Sequence, residues 1–426
     1  MSETAAETLF TYQAPPFTFG PGAVDEIGHH LRRLGVRRAL LLTDAGVAAT
    51  GLVERIAQAA VSAGVEVVVH DDVHVEPTDE SVAAAVEAAR TGEWDGFVAV
   101  GGGSVIDTAK AVNLYTSHPA ALLHYVNQPF GDGAPPPGPL KPLVAVPTTA
   151  GTGSESTSVC VLDLLDLKVK TGISHALLRP TLAVIDPLTT LSVPPEVTAA
   201  TGMDVLGHAI ESYTARPYTS FARKRPEQRV AYCGANPVSD LWCERAIRLV
   251  GSALRRAVAD GDDTAARSDM MLAATFAGMG FGNAGVHIPH ACAYPIAGNV
   301  RDYVPRGYPA EEPLVPHGQA VAVTTPAAFR LTFEHDPQRH VDVATWLDAR
   351  TAADEPDPRE KLPAVLADLM RGIGIPNGLQ ALGYSGSDVP TLVAGAALQH
   401  RLLGIAPLDV TDHHLEQVLR QSLTNW

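Results

Sequence analysis

The chain has 426 residues, 46% of them hydrophobic and 18% charged, with a formal net charge of -16. That length points to two domains, and the composition excludes a disordered polymer. The acidic balance, with no long basic run, excludes nucleic acid as the expected partner.

No apolar run reaches the roughly 18 residues that a membrane-spanning helix needs. The start, Met1-Ser2-Glu3-Thr4, lacks the basic region of a signal peptide, so a cytoplasmic protein without a membrane partner is expected. Cys160, Cys233, Cys243 and Cys292 have no CxxC spacing, which fits reduced packing residues.

The run Ala39-Leu40-Leu41-Leu42-Thr43-Asp44 reads as a buried parallel strand with an acidic carboxyl end. A helix over Leu52 to Ala63, a strand over Val65 to Val69 and a helix over Glu80 to Arg90 follow. The next strand, Gly96 to Val100, runs into Gly101-Gly102-Gly103-Ser104. Leu143 to Val146 is a further strand, ending in Pro147-Thr148-Thr149-Ala150-Gly151-Thr152-Gly153-Ser154-Glu155. Val159 to Leu162 and Lys168 to Gly172 form the arms of a hairpin, and Leu182 to Ile185 closes this half. Such alternation predicts a doubly wound α/β sheet with ligands at the carboxyl ends of its strands.

The glycine run either lets a phosphate approach backbone N–H groups at a helix start or makes a tight turn only. Its spacing is not GxGxxG. Asp44 either accepts hydrogen bonds from an adenosine ribose, which favours NAD over NADP, or caps the element that follows. Hydroxyls in Thr148 to Glu155 offer donors to a pyrophosphate or a nicotinamide amide. Lys170 either reaches a ribose or phosphate oxygen or stands exposed on its strand.

The texture changes at Ser192-Val193-Pro194-Pro195, a helix entrance, beyond which apolar spacing is helical. Residues 1–193 are therefore expected to form an α/β nucleotide-binding domain and 194–426 an all-helical metal-binding domain. Within Gly202 to Glu211, Asp204 and His208 stand at i and i+4, on one face of a helix, where both can reach one cation or simply pair. His287 and His290 follow, then His317 in Pro316-His317-Gly318. Each histidine alone suits a core or cap role. Asp204, His208, His290 and His317 together suit a divalent transition metal.

GGGSVIDTAK at Gly101 to Lys110, PTTAGTGSE at Pro147 to Glu155, GMDVLGHAIESY at Gly202 to Tyr213, His290 and PHG at Pro316 to Gly318 occur in that order. In these stretches the chain resembles the iron-dependent (group III) alcohol dehydrogenases. The resemblance implies a Rossmann-like N-terminal domain and an all-α C-terminal domain, the dehydroquinate synthase-like fold. It also implies a cleft between them holding NAD beside iron(II), with zinc an alternative, and a homodimer. Carried over by motif, the metal ligands are Asp204, His208, His290 and His317. The nucleotide contacts are Asp44, Gly101, Gly102, Gly103, Ser104, Asp107, Thr148, Thr149, Thr152, Ser154, Thr157, Val161 and Lys170.

LKVKTGI at Leu167, GANPVSDLW at Gly234, FAGMGFGNAGVHIPHACAYPI at Phe276 and EPLVPHG at Glu312 bring the chain nearest to members that move hydride between two acids. These oxidise 4-hydroxybutyrate and reduce 2-oxoglutarate with the nicotinamide retained as carrier. A histidine common in the family four residues beyond the third ligand is replaced by Tyr294, so Tyr294 or His287 is the expected proton carrier. A dicarboxylate would need cations, for which Arg301, Arg306, Arg223, Lys224 and Arg225 are candidates or else solvated loop charges. The rivals are an NAD-dependent dehydrogenase of a primary alcohol or ω-hydroxy acid and a dehydroquinate-synthase-like lyase or cyclase. A non-catalytic metal-binding protein is a third.

Overall fold

The computed structural model describes residues 5–426 except Lys168, 230–231 and 309–312. Lys168 of the expected hairpin arm and Glu312 of EPLVPHG therefore lie outside the described residues. The chain divides into two units, Ala14–Val193 and Met1–Gln13 with Pro194–Trp426.

In the first unit, strands β1 (Phe17–Phe19), β2 (Arg38–Leu42), β3 (Glu66–His70), β4 (Gly96–Gly101), β5 (Leu143–Pro147) and β8 (Leu182–Ile185) form one sheet. Its order is β1-β8-β5-β4-β2-β3, and every pairing is parallel. β6 (Val159–Leu164) and β7 (Val169–Ser174) make a separate antiparallel hairpin. Successive residues of a strand face opposite sides. Leu40, Leu42, Phe97 and Ala99 accordingly pack with Val82, Val105 and Ile106 of α3 (Asp79–Ala89) and α4 (Gly103–Ser117). Ala39, Leu41, Val98 and Val100 pack with Ile27, Leu31 and Ile56 of α1 (Ile27–Arg33) and α2 (Leu52–Ser62). Helices on both faces explain why these strands are continuously apolar.

The first expected strand stops at Leu42, because Asp44 accepts a 2.9 Å hydrogen bond from the Val47 amide and caps a short helix, Ala45–Ala48. β1 was not anticipated. It is three residues long and pairs only with β8 at the sheet edge, so its own sequence carries no alternating pattern.

The second unit contains no strand among its described residues. Its first helix, α5 (Pro195–Tyr213), begins on a proline and is buried along most of its length. It is followed by α6 (Pro237–Ala259), α7 (Thr264–Ala284), α8 (Ile288–Gly298) and α9 (His317–Ala322). The Asn236 side chain caps α6 through the Ser239 amide, and Asp263 caps α7 through the Ala266 amide. A Cβ at Gly318 would lie 1.9 Å from the carbonyl oxygen of Ala200 and 3.2 Å from Cβ of Asp204. Only glycine lets α9 come that close to α5, and the contact brings His317 beside Asp204. No helix among the described residues is long and apolar enough to cross a membrane.

Candidate active site

Asp204 and His208 leave one face of α5, a turn apart. His290 enters from the first turn of α8, and His317 is the first residue of α9. Asp204 Oδ1 stands 3.6 Å from His290 Nε2, 3.7 Å from His317 Nε2 and 3.8 Å from His208 Nε2. These separations are too long for hydrogen bonds. They suit donors that each lie about 2.0–2.2 Å from a shared ion. Asp204 Oδ1 and His290 Nε2 are moreover buried without a hydrogen-bond partner. Buried polar atoms are seldom left so, and a cation would satisfy both.

Asp204, His290 and His317 offer donor atoms that all lie within 4.8 Å of one another. His208 reaches this set through Asp204, and its ring stacks between Phe281 at 3.8 Å and His290 at 4.6 Å. Burial opposes the charge on Asp204, but the imidazoles of His208, His317 and His290 hold its carboxyl well below the usual range. Burial pushes His208 down to about 3, which keeps it a neutral donor.

Sequence reasoning missed the residue that orients this group. Glu211, on α5, accepts a 2.6 Å hydrogen bond from Nδ1 of His290 through Oε1. Through Oε2 it accepts the His287 amide at 2.6 Å and the His290 amide at 3.4 Å. With Nδ1 bound to a carboxylate, His290 presents Nε2 to Asp204. Burial works against a charge on His290, but Glu211 and Asp204 push it up to about 9. Asp204, His208 and Glu211 at i, i+4 and i+7 was the available signal, since all three share one face of a helix.

His287, the other expected proton carrier, is engaged inside the fold. It is fully buried, its Nδ1 accepts the Ile288 amide at 2.8 Å, and its Nε2 lies 3.2 Å from Thr214 Oγ1. Thr214 Oγ1 already donates to the carbonyl of Ile210, so Nε2 carries the hydrogen and donates to Thr214. Burial pushes His287 down to about 4, leaving it neutral and engaged at both nitrogens. Tyr294 is half-buried, and its ring lies 6.1 Å from that of His317, the most exposed member of the donor group. Among the cationic candidates, Arg301 is committed to Asp388 and to the carbonyl of Gly383, whereas Arg306 is exposed.

In the first unit the strand order reverses between β2 and β4, the position where open α/β sheets bind ligands. Asp44 follows β2, Gly101 to Ser104 span the end of β4 and the start of α4, and Thr148 to Thr152 follow β5. Three adjacent strands thus deliver these groups to one edge. Gly102, Gly103, Ser104, Thr149 and Thr152 are partly exposed there, and Val161 is partly exposed on β6 of the hairpin. The side chains of Thr149 and Thr152 lie against Gly102 and Gly103.

Four other expected nucleotide contacts turn inward. Asp107 accepts from Ser154 Oγ, from the Val161 amide at 2.9 Å and from Lys110 Nζ at 3.1 Å. Lys110 also donates to Ser154 Oγ at 2.6 Å, Thr157 Oγ1 at 3.2 Å and the carbonyl of Val159 at 2.6 Å. Asp107, Ser154 and Thr157 therefore brace the loop from within, around a buried lysine that the sequence reading did not single out. Lys170 is neither exposed nor free for a phosphate: its Nζ lies 2.7 Å from Glu76 Oε2 and 2.9 Å from Asp163 Oδ2.

Two family descriptions match the chain: iron-containing alcohol dehydrogenase over residues 15–187, and the C-terminal part of the Fe-containing alcohol dehydrogenase family over residues 227–423. The chain is 46% identical to hydroxyacid-oxoacid transhydrogenase, mitochondrial, of Bos taurus over 99% of its own length and 91% of that protein. With the Homo sapiens protein of that name it shares 44% identity over 95% and 88%. Among solved structures, 1,3-propanediol oxidoreductase is similar at a TM-score of 0.84 and 33% identity, covering 97% of this chain and 100% of that one. Sulfoacetaldehyde reductase from Bifidobacterium kashiwanohense, in complex with NAD+, is similar at a TM-score of 0.80 and 28% identity, with 98% and 99% covered. These matches do not favour the simple dehydrogenase or the cyclase. The relatives' names place them in the mitochondrion, which overturns the cytoplasmic location expected from the sequence.

Proposed function

The chain belongs to the iron-containing alcohol dehydrogenase family, and from that premise we propose that it passes hydride from a hydroxy acid to an oxo acid through a retained nicotinamide. It is an oxidoreductase that uses NAD(H) and iron. The observation that carries the acid-to-acid reading is the 46% identity over 99% of the chain to a protein named for that reaction.

Asp204, His208, His290 and His317 would hold the metal. When bound, iron supplies Lewis acidity toward the substrate oxygen and NAD supplies the hydride carrier. Glu211 keeps Nε2 of His290 turned to the donor group. Burial of Asp204, His208 and His290 keeps water from competing for their donor atoms. Tyr294, beside the exposed edge of His317, is the proton carrier in this reading, and Arg306 is the loop cation open to a substrate carboxylate. The homodimer expected from the resemblance is carried forward with it, and sedimentation equilibrium of the purified chain checks that part.

The test is to incubate the purified chain with 4-hydroxybutyrate and 2-oxoglutarate without added NAD. Formation of both products with no free NADH is the expected result. An absolute requirement for added NAD overturns the retained carrier and returns the reading to a simple dehydrogenase.

A further inference from the structure

Between the end of β3 and the start of α3, residues 71–78 cross from the sheet edge toward the glycine turn. Glu76 holds a left-handed backbone there, with φ of 59°. That conformation is uncommon for a residue with a side chain and marks a position over-determined by its surroundings. In it, the Glu76 amide donates to Ser104 Oγ at 3.1 Å, in the first turn of α4. The Glu76 carboxylate meets Lys170 of β7, which meets Asp163 of β6 in turn. The same segment is tied to β6 by its backbone, since the Asp163 amide donates to the carbonyl of Pro77 at 2.8 Å and Thr78 bridges to Asp163.

A lysine with 4% of its side chain exposed cannot leave water without compensation, and here two carboxylates supply it. An exposed pair would contribute little. A staple for the hairpin alone would not need a strained residue linked to the serine of the glycine turn. We infer that Glu76, Lys170 and Asp163 fasten residues 71–78 as a strap on that turn and set how slowly a bound dinucleotide leaves it. This rests on the retained-nicotinamide reading and gives it a physical device. Glu76 and Lys170 are positioning residues, acting on the nucleotide through Ser104 and the turn.

The test follows release of NADH from the loaded enzyme by nicotinamide fluorescence in a stopped-flow displacement experiment. Glu76→Gln and Lys170→Met should each speed release by about tenfold to a hundredfold, the range of a charge-assisted hydrogen bond. Association should be unchanged, and the double variant should release no faster than the faster single one, because the two residues act through one contact. Glu76→Gly separates the strap from a staple, because glycine relieves the positive φ. Paired with Lys170→Met, so that no buried lysine is left short of a carboxylate, it should melt within a few degrees of the wild type and still release NADH faster.

Release within twofold of the wild type in folded Glu76→Gln and in Glu76→Gly paired with Lys170→Met overturns the strap. So does faster release that appears only where the melting temperature falls. A wild type that releases NADH faster than it turns over defeats the retained-carrier reading instead, and the strap is then judged on the ratio of variant to wild-type release alone.

Discussion

Glu211 Oε1 and His290 Nδ1 meet at 2.6 Å across 79 residues of sequence, and this bond decides which nitrogen of His290 faces Asp204. Removing the carboxylate in Glu211→Ala leaves the ring free to turn, and the variant should lose about tenfold to a hundredfold in metal affinity. Glu211→Gln, whose amide oxygen can still accept from Nδ1, should lose less. Calorimetric titration with iron(II) under anaerobic conditions checks both, and equal affinity in wild type and Glu211→Ala would show the bond to be incidental.

Asp204 supplies the one carboxylate of the donor group and faces all three imidazoles. Asp204→Ala is expected to abolish both stoichiometric metal binding and hydride transfer while leaving the fold intact, since the variant also removes an unpartnered buried oxygen. Metal analysis after dialysis, read beside circular dichroism, gives the answer. Full activity in this variant would remove the metal site from the mechanism.

His290, held up at about 9 by Glu211 and Asp204, carries a proton on Nε2 at neutral pH in the metal-free chain. A metal must displace that proton, so binding should release about one proton from this residue, and apparent affinity should rise with pH up to about 9. The sign follows because the free chain binds the proton and the loaded chain does not. Titrations at pH 7.5 in two buffers of different ionisation enthalpy measure the release. No difference between the buffers would mean that His290 is neutral before the metal arrives.

Lys110 has no exposed surface and holds Asp107, Ser154 and Thr157 together. Lys110→Met strands the Asp107 carboxylate, and should lower the unfolding free energy by about 3–5 kcal/mol. Urea denaturation of the nucleotide-free chain measures this. A loss under about 1 kcal/mol, the scale of an exposed pair, would show that the network is not what fixes the loop.

Much of this protein is written in local pattern. The strands packed between helices announce themselves as apolar runs, because residues pointing either way meet a hydrophobic layer. β8 lies where its four apolar residues place it. Asp204 and His208 could be paired from sequence because helical geometry fixes i and i+4 without help from the rest of the chain, and the family motifs then pointed to His290 and His317.

Whatever depends on a distant partner was not legible. β1 is a strand only because β8 offers it an edge. Asp107 and Lys170 have the residue types of nucleotide contacts, yet Lys110 in one case and Glu76 with Asp163 in the other turn them inward. By residue type and spacing alone His287 and His290 are equivalent, and only the family motif chose His290. The fold separates them, since Thr214 and the Ile288 amide occupy one ring while Glu211 aims the other at Asp204. Spacing along the chain specifies which face of an element a side chain leaves from. What that side chain meets is set by packing among residues far apart in sequence, and in this protein packing selected the proposed ligands and the interior braces.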